Sequence, residues 1–467
     1  FIVTTSGPVS HIGKSRLRKR RCESRAVCPL GGRFVSSAIG SQRPQSSDCA
    51  RLIARRLPIL VALAALAGST TPLRAQSPSW ITLMGQGIVA GTHVDPVPGG
   101  GGLTEVRLVQ PVVLLRAAAI NGHLGLTGTL NLEGQTIPAG ELLPGGWGEG
   151  FNDRRHPHTY VHEALLSGLD LLGSLDGPVR VSASIGKGFA PFGSDDPMSR
   201  PVYRYPVNHH LAQILERDVA IVGIRAGPVA LEGGLFNGDE PERPGQWPLL
   251  RRFGDSWSAR VTLLPMHGIE VSASRAKVHS PEHRPGAGTD AWRWHAGVRL
   301  DQPVWGGRGY ALFEWARTAE ARDFFVFESL LFEASFEHGP HGPYYRFERS
   351  DRPEDIRTQD PFRSVRPHLE NSITGVTRFT LHTLGYSCTF RGAGGRLAIR
   401  PFAEGTVGEM RSVGGGIFDP DGFYGKSNLA ALSAGVRVEW RMVGHRMGRY
   451  GELLDNGSPM GYRHHPM

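Results

Sequence analysis

The sequence predicts an all-β chain folded as an up-and-down, antiparallel transmembrane β-barrel of about sixteen strands, within a range of roughly 12–18. Three features predict it: segments alternating apolar and polar residues, connections alternating short and long, and an export leader ahead of the alternating region.

The alternation is clearest over residues 430–440, where Ala430, Leu432, Ala434, Val436, Val438 and Trp440 share one face and Ser433, Gly435, Arg437 and Glu439 the other. Successive strand side chains point to opposite faces, so such a segment has one apolar and one charged side. The same pattern sets Leu124, Leu126, Leu130 and Leu132 against His123, Thr127, Thr129, Asn131 and Glu133. It also sets Trp257, Ala259, Val261 and Leu263 against Ser258, Arg260 and Thr262, and Trp292, Trp294, Ala296, Val298 and Leu300 against Arg293, His295, Arg299 and Asp301.

Short turns are expected at 121–122, 173–177, 227–228, 265–268, 302–308, 338–342 and 391–395. Between them fall polar or Gly/Pro-rich loops at 95–103, 134–158, 190–217, 238–254, 280–290, 319–323, 350–371 and 408–428, of which 319–323 is itself short. Fifteen connections imply sixteen strands with both ends on the short-turn side. A soluble β-sandwich could show the same alternation of faces, but it does not predict this asymmetry of connections.

Residues 51–75 read as a secretory signal. Arg51, Arg55 and Arg56 precede an apolar core at 57–68 (LPILVALAALAG), and the small-residue site 73–75 precedes Gln76. That core is shorter than the ~20 residues a membrane-spanning helix needs. Residues 1–50 read as upstream sequence outside the fold, 76–442 as the barrel, and 443–467 as a C-terminal tail. The net charge of +9 is carried by the leader: residues 1–75 hold 13 Lys and Arg against Glu23 and Asp48, leaving thirty-nine basic and forty-one acidic side chains thereafter. Nucleic acid is therefore not an expected partner. Outer-membrane lipid and the barrel-assembly machinery are. Cys388 is alone beyond the leader, so no internal disulfide is expected there. Trp80, Trp257, Trp292, Trp294, Trp315 and Trp440 are placed near strand ends, as an interfacial girdle would require.

The leader, the alternating hairpins and the closing strand at 430–440 resemble porin-like bacterial outer-membrane proteins. The stretch 151–164 (FNDRRHPHTYVHEA), with the later FAPFG and NHH segments, is similar to an uncharacterised outer-membrane group bearing HPH and HH elements. The resemblance implies the outer membrane and brings no activity. Porins usually end on their last aromatic strand residue, whereas this chain continues past Trp440.

If apolar faces meet lipid, the lumen receives Arg180, Arg260, Arg293, Arg299, Arg378, Arg396, Arg400 and Arg437 beside Glu270, Glu333, Glu337, Glu404 and Glu439. Such a wall would favour small anionic solutes, or it would cross-link into a rigid lattice of ion pairs. Histidine supplies a second expectation. His156, His158, His209 and His210 lie in two successive long loops, with Asp195 and Asp196 near the latter pair, and converging imidazoles could hold a transition metal. In an extended chain His162 points the same way as His156 and His158. No dedicated metal motif is present, and solvated loop histidines would look the same. Ser194 with Asp195, and His279 with Ser280, are the candidate hydrolytic groups, without a recognisable nucleophile context. The leading expectation is a non-enzymatic, porin-like channel without an obligatory cofactor. A barrel binding metal or a surface ligand through its loops, and an outer-membrane enzyme, are the alternatives.

Overall fold

The computed structural model describes residues 81–96, 100–136, 158–173, 177–207, 209–241, 243–281, 284–355, 373–413, 419–442 and 445–451. The leader, Trp80 and most of the tail lie outside these.

Sixteen long strands form one antiparallel sheet that closes on itself. In chain order they are β1 (Ile81–Asp95), β2 (Leu103–Ala119), β3 (Leu124–Asn131), β4 (Val161–Leu172), β5 (Val179–Gly188), β6 (Arg217–Ala226), β7 (Val229–Phe236) and β8 (Ser256–Met266). They continue as β9 (Ile269–His279), β10 (Asp290–Val304), β11 (Gly307–Glu320), β12 (Phe325–Glu337), β13 (His341–Asp355), β14 (Ile373–Cys388), β15 (Leu397–Val413) and β16 (Asn428–Trp440). Phe390–Arg391 adds a two-residue pairing to β15 at the last short turn. Each strand pairs with its sequence neighbour, and β1 pairs with β16 in the register Val89↔Val436 and Thr92↔Ser433. The hydroxyls of Thr92 and Ser433 meet at 2.9 Å on the inner face of that seam. Both strand count and loop alternation follow the sequence pattern, because hairpins of short reach can join only adjacent antiparallel strands.

Turn chemistry explains the tight end. Val304 pairs with Gly307 across Trp305-Gly306, and both turn residues have positive φ, 48° and 73°. Two left-handed residues in succession make the turn whose twist matches a hairpin, and glycine takes the second place without strain.

The ladder's parity sorts the side chains. On β16, Leu432, Val436, Val438 and Trp440 are exposed on the outside, while Ser433, Arg437 and Glu439 are buried inside. Val89, Leu126, Leu130, Ile185, Val222, Leu231, Val261 and Phe313 extend the apolar exterior around the barrel. Such a surface suits hydrocarbon rather than water. Trp257, Trp292 and Trp294 lie toward the long-loop ends of β8 and β10, with the Arg275 guanidinium 4.8 Å from the Trp292 ring and that of Arg317 5.3 Å from Trp294. Trp440 marks the opposite rim. Trp315 instead lies well inside β11, because its outward parity, not a strand end, determines its place.

Two lumen assignments need correction. Arg378 occupies an outward position of β14, between the buried Thr377 and Phe379, and makes a two-point pair of 2.6 and 2.8 Å with its cross-strand partner Asp351. A pair opposite in the ladder neutralises the charge where it stands, so Arg378 need not turn inward. Arg396 is exposed in the turn after Phe390–Arg391 and its carbonyl accepts the Arg441 amide at 2.7 Å.

Candidate functional site

The long connection between β5 and β6, residues 189–216, folds into the barrel rather than away from it. Its sequence contains the required apolar anchors. Phe189, Phe192, Ile214 and Leu215 pack against Leu165, Val219, Phe236 and Val278 of the wall, and Tyr203 stacks on Phe402 at 4.3 Å. Met198 and Tyr205 join Met84, Val112 and Leu114. A non-helical backbone inside a lumen must still satisfy its carbonyls. Wall arginines do this: Arg437 donates to the carbonyls of Arg200 (3.0 Å) and Met198 (2.9 Å), Arg346 to Arg204 (2.6 Å), Arg293 to His210 (2.9 Å) and Arg260 to Gly193 (3.2 Å). Side-chain pairs add to these contacts, with Arg200 on Glu314 at 3.0 Å and Arg204 on Glu348 at 2.9 Å.

Residues 445–451 also enter the lumen. Arg446 grips Asp195 through two bonds of 2.6 Å and Glu270 at 2.9 Å, while Arg449 reaches Asp195 at 3.0 Å and Glu270 at 2.6 Å. The Tyr450 hydroxyl donates to Glu163 at 2.6 Å and accepts the Phe189 amide at 3.0 Å. Although burial opposes ionisation of Asp195, Arg446, Arg449 and Arg299 hold its carboxyl far below the usual range.

At the short-turn end these segments leave a chamber of about 420 Å³. Seven arginines line it, Arg200, Arg299, Arg308, Arg391, Arg400, Arg437 and Arg446, against the three acids Asp301, Glu337 and Glu439. Arg400 bonds Glu337 at 2.6 Å and Glu439 at 2.8 Å; Arg308 and Arg299 share Asp301 at 2.6 and 2.8 Å. Arg391 is exposed at the mouth. Of the other lumen candidates, Arg180 is buried on the inner face near the same end, Arg260 pairs with Glu232 at 2.6 Å, and Glu404 accepts the Tyr344 hydroxyl at 2.9 Å.

The histidines divide. His156 lies outside the described residues. His158 and His209 are buried and join a cluster with His162, Asp196, Glu133 and Glu216, whereas His210 is half-buried at its margin, 5.3 Å from the His209 ring. Among the described residues, no three His, Cys, Asp or Glu donors stand close enough together to clasp an ion as placed. The four-histidine set noted His162 and Asp196 beside it but did not count them as ligands, and it did not foresee Glu133 or Glu216. The extended-chain parity of 158 and 162 was the available signal, while Glu133 and Glu216 are brought in only by the fold.

The hydrolytic candidates have other partners. Ser194 donates to Glu314, and His279 uses Nδ1 on Asp290 at 2.7 Å and Nε2 on the Gly286 carbonyl at 3.2 Å. Neither pair brings a serine against an imidazole.

The chain is thus a closed sixteen-strand antiparallel barrel with an apolar exterior and a charged interior, the architecture with which transmembrane barrels cross a bilayer. No protein-family model matches the sequence, and no curated protein matches it. Among solved structures it is similar to the anion-selective porin from Comamonas acidovorans, at 11% identity and TM-score 0.45, covering 77% of this chain and 99% of that one. It is also similar to the outer-membrane protein OmpT of Vibrio cholerae (12% identity, TM-score 0.41, 79% and 100% covered). OmpF of Salmonella typhi, in complex with daunomycin, is similar at 11% identity and TM-score 0.41, with 76% and 97% covered.

Proposed function

We propose that the barrel passes small anionic solutes along a lumen narrowed by the inward segments. The excess of arginines over acids in the short-turn chamber supports this reading. Guanidinium groups held in a low-dielectric wall attract anions and raise their local concentration. Their geometry is held by ion pairs within the wall, so an entering anion meets donors already in position. Arg308 and Arg391 are the accessible members of the set.

Reversal potentials across planar bilayers in a KCl gradient test the proposal. The protein should favour chloride over potassium, and the double variant Arg308→Glu/Arg391→Glu should bring the permeability ratio from above one to below it. Absence of conductance, or a parent channel preferring potassium, would refute the reading.

A further inference from the structure

Four buried side chains from three parts of the chain meet beside the inward segment: His158 just before β4, His162 within it, and Asp196 and His209 from the segment itself. The central observation concerns two atoms. His162 Nδ1 lies 2.8 Å from Glu216 Oε1, which also accepts the Thr159 amide at 2.7 Å. The Thr159 hydroxyl donates to the same oxygen at 2.9 Å, so Oε1 serves as an acceptor. An oxygen that already receives two donors accepts from the imidazole as well, so His162 Nδ1 donates, and in the neutral ring Nε2 carries a lone pair. That Nε2 faces Asp196 Oδ2 at 4.0 Å, and neither atom has a hydrogen-bond partner. Two acceptors buried face to face repel unless a positive charge lies between them.

The surroundings fit such a charge. The other Asp196 oxygen is used, accepting the Met198 amide at 2.7 Å, which orients the carboxylate. His209 Nε2 is 3.6 Å from Asp196 Oδ2, too far for a hydrogen bond. The His158 ring lies edge-on to His162 with centroids 4.8 Å apart, and its Nδ1 meets Glu133 Oε2 at 2.6 Å.

We propose that His162, His209 and Asp196, with His158 as fourth donor, form a binding site for one divalent transition-metal ion of the zinc, cobalt, nickel or copper class. Donors about 2.0–2.1 Å from a common tetrahedral ion stand about 3.3 Å apart. The separations of 4.0 and 3.6 Å from Asp196 Oδ2 to the His162 and His209 nitrogens therefore need to close by about 0.7 and 0.3 Å. Imidazole favours these metals over calcium or magnesium. Glu216 and Glu133 play the part of carboxylates that hold a ligating histidine by its far nitrogen, fixing tautomer and aim. The site differs from a loop site at the barrel mouth, because all four donors are enclosed. The competing occupant is a proton on His162 Nε2, which would satisfy Asp196 without metal.

The test uses the full chain with His464→Ala and His465→Ala, folded in detergent, with Co²⁺ as the probe. The parent should bind one Co²⁺ per chain with the visible ligand-field bands of a four-coordinate site, and Zn²⁺ should bleach them. Asp196→Asn and His162→Gln should each weaken Co²⁺ binding at least tenfold, and Glu216→Gln, which touches no metal, by roughly 10–100-fold. Heat-modifiable electrophoretic mobility identifies which variants have folded. A folded parent that takes up no stoichiometric Co²⁺ would overturn the proposal whatever the variants do. So would an unchanged Co²⁺ spectrum in folded His162→Gln. Neither result depends on whether the barrel conducts anions.

Discussion

Replacing Asp195 with Ala should release both inward segments from their shared anchor, destabilise the barrel by about 3–5 kcal/mol and increase single-channel conductance. Asp195 is the charged link between the connection 189–216 and the stretch 445–451, accepting Arg446 twice at 2.6 Å and Arg449 at 3.0 Å, with Arg299 at 3.5 Å. Its removal leaves buried guanidiniums with Glu270 as the remaining shared acid, and like charges in a low dielectric separate if they can. The cheapest relief is outward movement of the segments, which widens the lumen. Denaturant unfolding and bilayer recordings read the two effects separately. Glu409→Ala, at a solvent-exposed pair with Arg411, is the control and should change stability by no more than about 0.5 kcal/mol. Unfolding midpoint and conductance both matching the parent would show that Asp195 is not the anchor.

A single Arg on the exterior should be nearly as damaging. Val436 lies between Leu432 and Trp440 in the outer row of β16, opposite Val89 of β1. Val436→Arg should cost about 2–4 kcal/mol of folding free energy in lipid, the penalty for a cation at mid-depth of an outer-membrane barrel. Val436→Ile should be nearly silent. In a water-soluble barrel the same exposed Arg would change stability by about 0.5 kcal/mol or less. Urea titration of folding into vesicles therefore reads the environment directly, and tolerance of Arg at Val436 would contradict a lipid-facing row. On the inner face of the same strand, Glu439 holds Arg400 at 2.8 Å and Arg437 at 3.1 Å, so its replacement would also destabilise the barrel.

The strands were legible because one physical rule sets them: hydrocarbon outside and water or protein inside impose a period of two. Leu124, Val261 and Val438 could be assigned to a face without knowing any neighbour. Arg378 shows the limit of that rule. Its face depended on a partner, Asp351, that only the β13–β14 register reveals. The purpose of the inner arginines was similarly hidden. Charge alone placed Arg260, Arg293 and Arg437 inside, but their bonds to the carbonyls of Gly193, His210, Arg200 and Met198 require knowing that a loop turns inward. Its hydrophobic anchors, Phe189, Phe192 and Tyr203, are the signal that was available for that turn, since a solvent loop has little use for them. The histidine cluster was legible only in part, for a related reason. Proximity in sequence favoured adjacent pairs, whereas His162, Asp196 and Glu216 come together only when the segment lies against β4.

The β1–β16 seam has a consequence for the order of assembly. Fifteen of the strand pairings join sequence neighbours, but the Thr92 to Ser433 contact spans 341 residues. For a flexible chain, closing that distance costs about 3 kcal/mol more entropy than closing a hairpin of about a dozen residues. The hairpins should therefore zip first and the seam last, leaving β1 and β16 as open edges until the ring is complete. During that interval the nascent sheet carries two unpaired strand edges, each able to capture another copy. Survival of the chain before closure thus depends on how long those two edges stay apart, a kinetic hazard that disappears with the final ladder.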